Sequence, residues 1–212
     1  MTKNKTSLSS DRYLITPSLI NSWLYIWNCV DNVRESEKDT ICLEDKRLDA
    51  QKKAKEDFIK TLKREPSETN VYMQMGIDYE DECYKGNTEC SPIIQGGAYQ
   101  LVGKKNKTID GIDFLLYGRL DVLKGGVIYD IKRVMKYAPQ KYLKSCQHSF
   151  YFELFERSYQ FTYLVFDGNK LHTETYYRDE CDDIKEIISN FMKWLEENDL
   201  LELYKKYWIC YN

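Results

Sequence analysis

The chain carries no apolar run approaching the roughly 18 residues that cross a bilayer as a helix. Its opening stretch, Met1 to Asp11, is polar and lacks the apolar centre of a secretory leader. A cytoplasmic protein with no membrane partner is the expectation. No C-x-x-C pair occurs either. The seven cysteines, at 29, 42, 83, 90, 146, 181 and 210, are odd in number and scattered, which argues against a zinc ribbon and for reduced thiols. A cationic excess is also missing. Against 31 Lys and Arg stand 34 Asp and Glu, a net charge of −3, so no global field announces a polyanionic partner. There is no internal repeat and no low-complexity linker.

What is present suits one domain: 212 residues, 42% hydrophobic and 14% aromatic, with 18 Tyr. Residues 1–11 read as disordered, and Thr16-Pro17 opens a helix through about Trp27. Ala50, Ala54, Phe58 and Leu62 recur at helical spacing in a segment from about Asp45 to Arg64, which Glu65-Pro66-Ser67 breaks. Thr69 or Asn70 caps a third helix with the apolar line Val71, Met75, Tyr79 and Cys83. Strands are expected over 93–101, 112–123 and 127–134, then a helix over 140–155 after Pro139. Strands over 159–166 and 170–177 flank the turn Asp167-Gly168-Asn169. A closing amphipathic helix puts Ile184, Ile187, Ile188, Phe191, Trp194 and Leu195 on one face. The order reads as an α/β (α+β) fold, a mixed central sheet flanked by helices. An N-terminal helical region (1–70) packs on a core (71–212).

One hairpin breaks the apolar pattern. In "YGRLDVLKGGVIYDIK", residues 117–132, a Gly-Gly turn joins two strands, and each carries an acid. A two-residue turn sets Lys124 opposite Val127, Val122 opposite Tyr129 and Leu120 opposite Ile131, one apolar face. The other face then pairs Asp121 with Asp130 and adds Lys132. Like charges about 5 Å apart destabilise a sheet, and a divalent cation is the simplest offset. Just beyond, Lys132, Arg133, Lys136, Lys141 and Lys144 form a basic run without an acid, either a phosphate contact or a solvated face.

These motifs resemble the PD-(D/E)XK nuclease superfamily, and within it the RecB-like branch. "GRLD" (118–121) is similar to the branch's G-[RK]-[IL]-D strand, and "YDIK" (129–132) to its apolar-D-apolar-K strand. "QHSFY" (147–151) resembles the helical Q-x-x-x-Y signature. "GIDYEDE" (76–82) resembles the first-helix motif, and "ITPSLINSWLYIWNC" (15–29) the N-terminal helix. The resemblance runs from Ile15 to Tyr151 in the expected order. It implies a restriction-endonuclease-like core and a stand-alone nuclease of the phage or mobile-element type. Such a protein would act as an exonuclease-like enzyme of recombination, repair or phage replication.

The resemblance also implies roles. Asp121, Asp130, Glu80 and the backbone carbonyl of Ile131 would hold Mg²⁺ or Mn²⁺, hard ions suited to carboxylate oxygen. Lys132 would position or deprotonate the attacking water. Gln147 and Tyr151, at i and i+4, share a helix face; Gln147 would orient Lys132 or the substrate, and Tyr151 would touch substrate or pack in the core. Glu82 competes with Glu80, although two helical positions set them on different faces. His148 is read as near substrate or on the surface, and His172 has no motif around it. Lys136, Lys141 and Lys144 would bind the strand, which is DNA, as single strands or ends. Trp23, Trp27, Trp194 and Trp208 would stack on bases or pack in the core.

Related exonucleases hold an iron–sulfur cluster through four cysteines. Here Cys29 stands alone near the first position, with only Cys181 and Cys210 towards the C-terminus, so no such cluster is expected. A partner protein in a recombination or replication complex is compatible with the class. The rival reading is a catalytically inactive module of the same fold that binds DNA or a protein. A further rival is a salt-bridged hairpin in an unrelated α+β protein.

Overall fold

The structure is a computed structural model that describes residues 11–29, 43–66 and 70–210. The expectations for residues 1–10 and for Thr69 lie outside the described residues. Thr16 caps helix α1, Pro17–Asn28, its hydroxyl accepting the Leu19 N–H at 3.2 Å, with Pro17 in the first turn. Helix α2 spans Leu43–Leu62 and α3 spans Val71–Lys85. Asn70 caps α3 through Met73 N–H at 2.9 Å, and Gly86 ends it at φ 90°, a left-handed conformation that favours glycine.

Strands β1 (Arg12–Ile15), β3 (Val102–Ile109), β4 (Ile112–Arg119) and β9 (Ile209–Cys210) form one sheet, in the order β3-β4-β1-β9. Strands β2 (Ala98–Tyr99), β5 (Val122–Lys124), β6 (Val127–Arg133), β7 (Gln160–Phe166) and β8 (Leu171–Tyr177) form another, in the order β2-β5-β6-β7-β8. The fold is therefore mixed α+β, with parallel and antiparallel pairs in both sheets.

Several elements differ from the sequence reading. The strand expected over 93–101 begins instead as a one-turn helix, α4 (Ser91–Ile94), because Pro92 sits where a helix tolerates it. The lysine-rich edge strand β3 and the strand β1, within the region expected to be wholly helical, carry weak apolar patterns. The helix expected from residue 140 starts only at Gln147 and forms α5 (Gln147–Leu154), preceded by turns. The closing helix is two, α6 (Ile184–Glu197) and α7 (Leu201–Trp208), separated at Asp199 with φ 57°.

The strand expected over 112–123 breaks at Leu120–Asp121, where the chain leaves one sheet and enters the other. Its neighbour crosses with it. Leu120 N–H donates to Leu101 carbonyl at 3.0 Å and Gln100 N–H to Asp121 carbonyl at 2.8 Å. The hairpin register is as expected, with Val122 opposite Tyr129 and Lys124 opposite Val127. Leu120 is the exception. The crossing turns it away from Ile131 and into the cluster of Ile128, Tyr151 and Phe161, while Ile131 packs with Val122, Cys83 and Leu164.

Among the described residues, three apolar clusters hold these layers. The largest joins the first sheet to α1, α2, α6 and α7 through Ile15, Trp23, Phe58, Phe114, Phe191 and Tyr204. Helix α5 covers one face of the second sheet, and α3 with α4 covers the other.

Candidate active site at the seam between the sheets

Strand β6 alternates Ile128, Asp130 and Lys132 on the face toward α5, so one strand presents an apolar anchor, an acid and a base in succession. Asp130 is buried and its Oδ2 lies 2.5 Å from Lys132 Nζ. Its Oδ1 accepts the side-chain amide of Gln147 at 3.1 Å. Gln147 thus orients the acid, whereas the motif left open Lys132 or the substrate as its target.

Asp121 sits at the seam itself. With no strand pairing there, its Oδ2 accepts the backbone N–H of Ile131 at 2.8 Å, a side chain standing in for a ladder carbonyl. Burial first, and then the Asp130 charge, push its carboxyl up to about 8, against the opposing pull of Lys132. Burial pulls the Lys132 ammonium down, but Asp130 and Asp121 outweigh it and hold the group above the usual lysine value. Asp121, Asp130 and Lys132 therefore act on one another, although Asp121 lies beyond the paired residues of the hairpin and is not set opposite Asp130 by the ladder.

Glu80, on α3, adds to the field that raises Asp121. Its Oε1 is occupied by Tyr84 Oη at 2.5 Å and by Gln100 Nε2 at 2.5 Å. Glu82 is engaged elsewhere, with Lys85 at 2.7 Å and Asn87 at 2.7 Å. Of the two acids, Glu80 is the one whose charge reaches the site. Among the described residues, no three His, Cys, Asp or Glu side chains are gathered closely enough to hold a metal ion. The donor chemistry suits a hard divalent cation, since two carboxylates already repel each other and every candidate side-chain ligand is oxygen. Glu80 would have to leave Tyr84 and Gln100 to complete such a set.

Tyr151 is 5% exposed and its hydroxyl donates to the Arg119 carbonyl at 2.7 Å. This places it in the core beneath β4, where it cannot stack on a base. His148 also lies inside. Its ring stacks on Tyr176 at 4.5 Å, and burial lowers it to about 4, so it is neutral at physiological pH and lies below the surface. Trp23 and Trp208 are buried, and Trp23 packs edge-on against Trp27 and Phe191. Trp27 keeps an exposed flank.

Lys136, Lys141 and Lys144 are exposed on an irregular segment, 134–146, between β6 and α5. That segment and α1, through Asn21 and Tyr25, line a cleft of about 700 Å³ that reaches Gln147. The basic run therefore borders an opening that ends at the residue gripping Asp130.

Sequence reasoning missed Gln100, Tyr84, Tyr142 and Glu174. The alternation His172, Glu174, Tyr176 in β8 carries a signal for the last of these, because it sets an acid on a strand face between two aromatic rings.

No protein-family model matches the chain, and no curated protein matches it. The crystal structure of SSO0001 is similar, with a TM-score of 0.53 at 12% identity, over 91% of this chain and 80% of that one. At that identity the likeness speaks to the fold alone. No helix among the described residues is long and apolar enough to cross a membrane.

Proposed function

We propose that the protein is a divalent-metal-dependent nuclease of the PD-(D/E)XK type that hydrolyses DNA phosphodiester bonds in the cytoplasm. The single observation that carries this reading is the Asp121–Asp130–Lys132 group, whose buried Asp130 is held by Gln147, a residue that lines a cation-bordered cleft. Asp121 and Asp130 would hold Mg²⁺ or Mn²⁺, with Glu80 and the Ile131 carbonyl as further donors. When bound, such an ion supplies charge neutralisation at phosphate and a more acidic water.

The chain's own residues account for the rest. Gln147 fixes the rotamer of Asp130 through one oxygen and leaves the other toward Lys132. Lys132 stays protonated, so its role is to donate to water or to a phosphate oxygen and to stabilise charge that builds there. Lys136, Lys141 and Lys144 border the cleft and offset the repulsion between an acidic protein and a polyanion. An exonuclease-like action on DNA ends is what the resemblance of the motifs to the RecB-like branch suggests.

The rival is a non-cleaving module of the same fold. The direct Lys132–Asp130 pair and the engagement of Glu80 favour it, because both occupy groups that a metal would claim. One assay separates the two. Labelled linear and circular DNA, single- and double-stranded, is incubated with Mg²⁺, Mn²⁺ or EDTA. Metal-dependent fragments support the enzyme; retention of intact DNA in all lanes supports the module.

A further inference from the structure

The face that bears the site carries a row of side chains across three strands. Asp130 on β6 pairs with Tyr163 on β7, and Tyr163 pairs with Glu174 on β8. Glu174 is 9% exposed, and its Oε1 is buried without a hydrogen-bond partner. A carboxylate left half-satisfied in the interior costs stability, so its presence calls for a reason beyond holding the fold together.

Its other oxygen supplies that reason. Oε2 accepts the backbone N–H of Tyr142 at 3.4 Å and the hydroxyl of Tyr176 at 3.0 Å. Tyr142 belongs to the irregular segment that carries Lys136, Lys141 and Lys144. At its two ends the segment is tied by Val134 N–H to Phe166 carbonyl on β7 at 3.0 Å and by Cys146 N–H to Asn21 Oδ1 at 2.9 Å; between them the backbone bonds are short turns, such as Lys141 N–H to Ala138 carbonyl and Leu143 N–H to Gln140 carbonyl. Side chains do the fastening. Tyr142 stacks on Tyr163 with centroids 4.4 Å apart, and Tyr137 stacks on His172 at 4.0 Å. Asp167 in turn holds His172 at 2.8 Å. Glu174 lies between the two stacks and is the acid that bonds the segment's backbone.

We propose that Glu174 is a positioning residue that anchors segment 134–146 over Asp130 and Lys132 and so sets the basic wall of the cleft. The positioning role rests on the nuclease reading; the anchoring does not.

Limited trypsin digestion reads the anchoring without any substrate, because Lys136, Lys141 and Lys144 are cut when the segment opens locally. In Glu174→Ala, cleavage at these lysines accelerates about tenfold, as expected for losing hydrogen bonds to a charged acceptor. Cleavage at Lys60 and Lys85, on α2 and α3, keeps its wild-type rate. Glu174→Gln retains an acceptor oxygen and stays within about threefold of wild type. On labelled DNA with metal, Glu174→Ala raises KM while kcat changes far less. Unchanged cleavage at the segment's lysines, or equal acceleration at every lysine, overturns the anchor. A fall in kcat at constant KM overturns the positioning role. A wild-type protein that cuts no DNA, with the digestion pattern as stated, removes the nuclease reading and leaves the anchor standing.

Discussion

Asp121 accepts the backbone N–H of Ile131 through its side chain, at 2.8 Å, in the place where a strand carbonyl would otherwise stand. One acid therefore serves two purposes: it closes the seam between the sheets and it faces Asp130. The folded state holds a proton there that the unfolded chain has already lost, since the carboxyl rises from its ordinary 3.8 to about 8. Metal-free stability should then fall as pH rises from about 4 to about 8, by on the order of a few kcal/mol. Asp121→Asn keeps a side-chain acceptor and removes the titration. Denaturant unfolding in EDTA across that range checks this, and parallel curves for the two proteins would refute it.

Lys132 offsets two acids at once. Lys132→Ala is expected to lower DNA cleavage by about a hundredfold or more, because Lys132 is the ammonium paired with Asp130. In EDTA the variant should also lose about 1–3 kcal/mol, the consequence of leaving Asp130 buried and unpaired. Added Mg²⁺ should restore part of that stability without restoring cleavage. Thermal melts and single-turnover rates measure the two effects separately.

Gln147→Ala frees Asp130 Oδ1 and should slow cleavage about tenfold with little change in melting temperature, since only orientation is lost. Gln147→Glu places a third negative charge beside Asp130 and should be slower still. A Glu variant faster than the Ala variant would show that the amide does not orient the acid.

Reversing Lys136, Lys141 and Lys144 to Glu should weaken DNA binding at low salt. The slope of log affinity against log salt should flatten by about two to three, since each lost phosphate contact releases fewer counterions. Binding isotherms at several salt concentrations give the slope directly, and an identical slope would make the run a solvated face.

Gly118 tests the packing beneath the motif. A Cβ there would stand 2.9 Å from Tyr151 Cε1 and 3.1 Å from Leu154 Cδ1. Gly118→Ala should cost about 1–3 kcal/mol in unfolding free energy, the penalty of overpacking.

Much of this architecture can be read from sequence. Gly125-Gly126 sets the hairpin register, and alternation along β6 puts Asp130 and Lys132 on one face, while Asp121, just beyond the paired residues, is held beside them by the Ile131 N–H. Thr16-Pro17 and Asn70 mark helix starts because their side chains satisfy first-turn N–H groups. The break at Leu120–Asp121 stays hidden, because alternation continues through it while the chain changes sheets. Strand β3 is hidden by its lysines, whose long stems cover an edge that composition marks as loop. Glu174 escapes for a different reason: its partner is the backbone of Tyr142, 32 positions away, and no local pattern encodes that meeting.

The chain begins its first strand far from where that strand's neighbour ends. Arg12 pairs with Cys210, whereas Val122 and Tyr129 meet across a tight turn. Closing the long loop demands far more chain entropy before any pairing repays it, so the hairpin forms early and β1 docks late. Time therefore separates the two sheets. The acids that repel each other come together first, and the strand that completes the neighbouring sheet arrives once most of the chain has settled. Refolding followed at a β1 tryptophan reporter, introduced at Tyr13, should accordingly lag the burial of the hairpin.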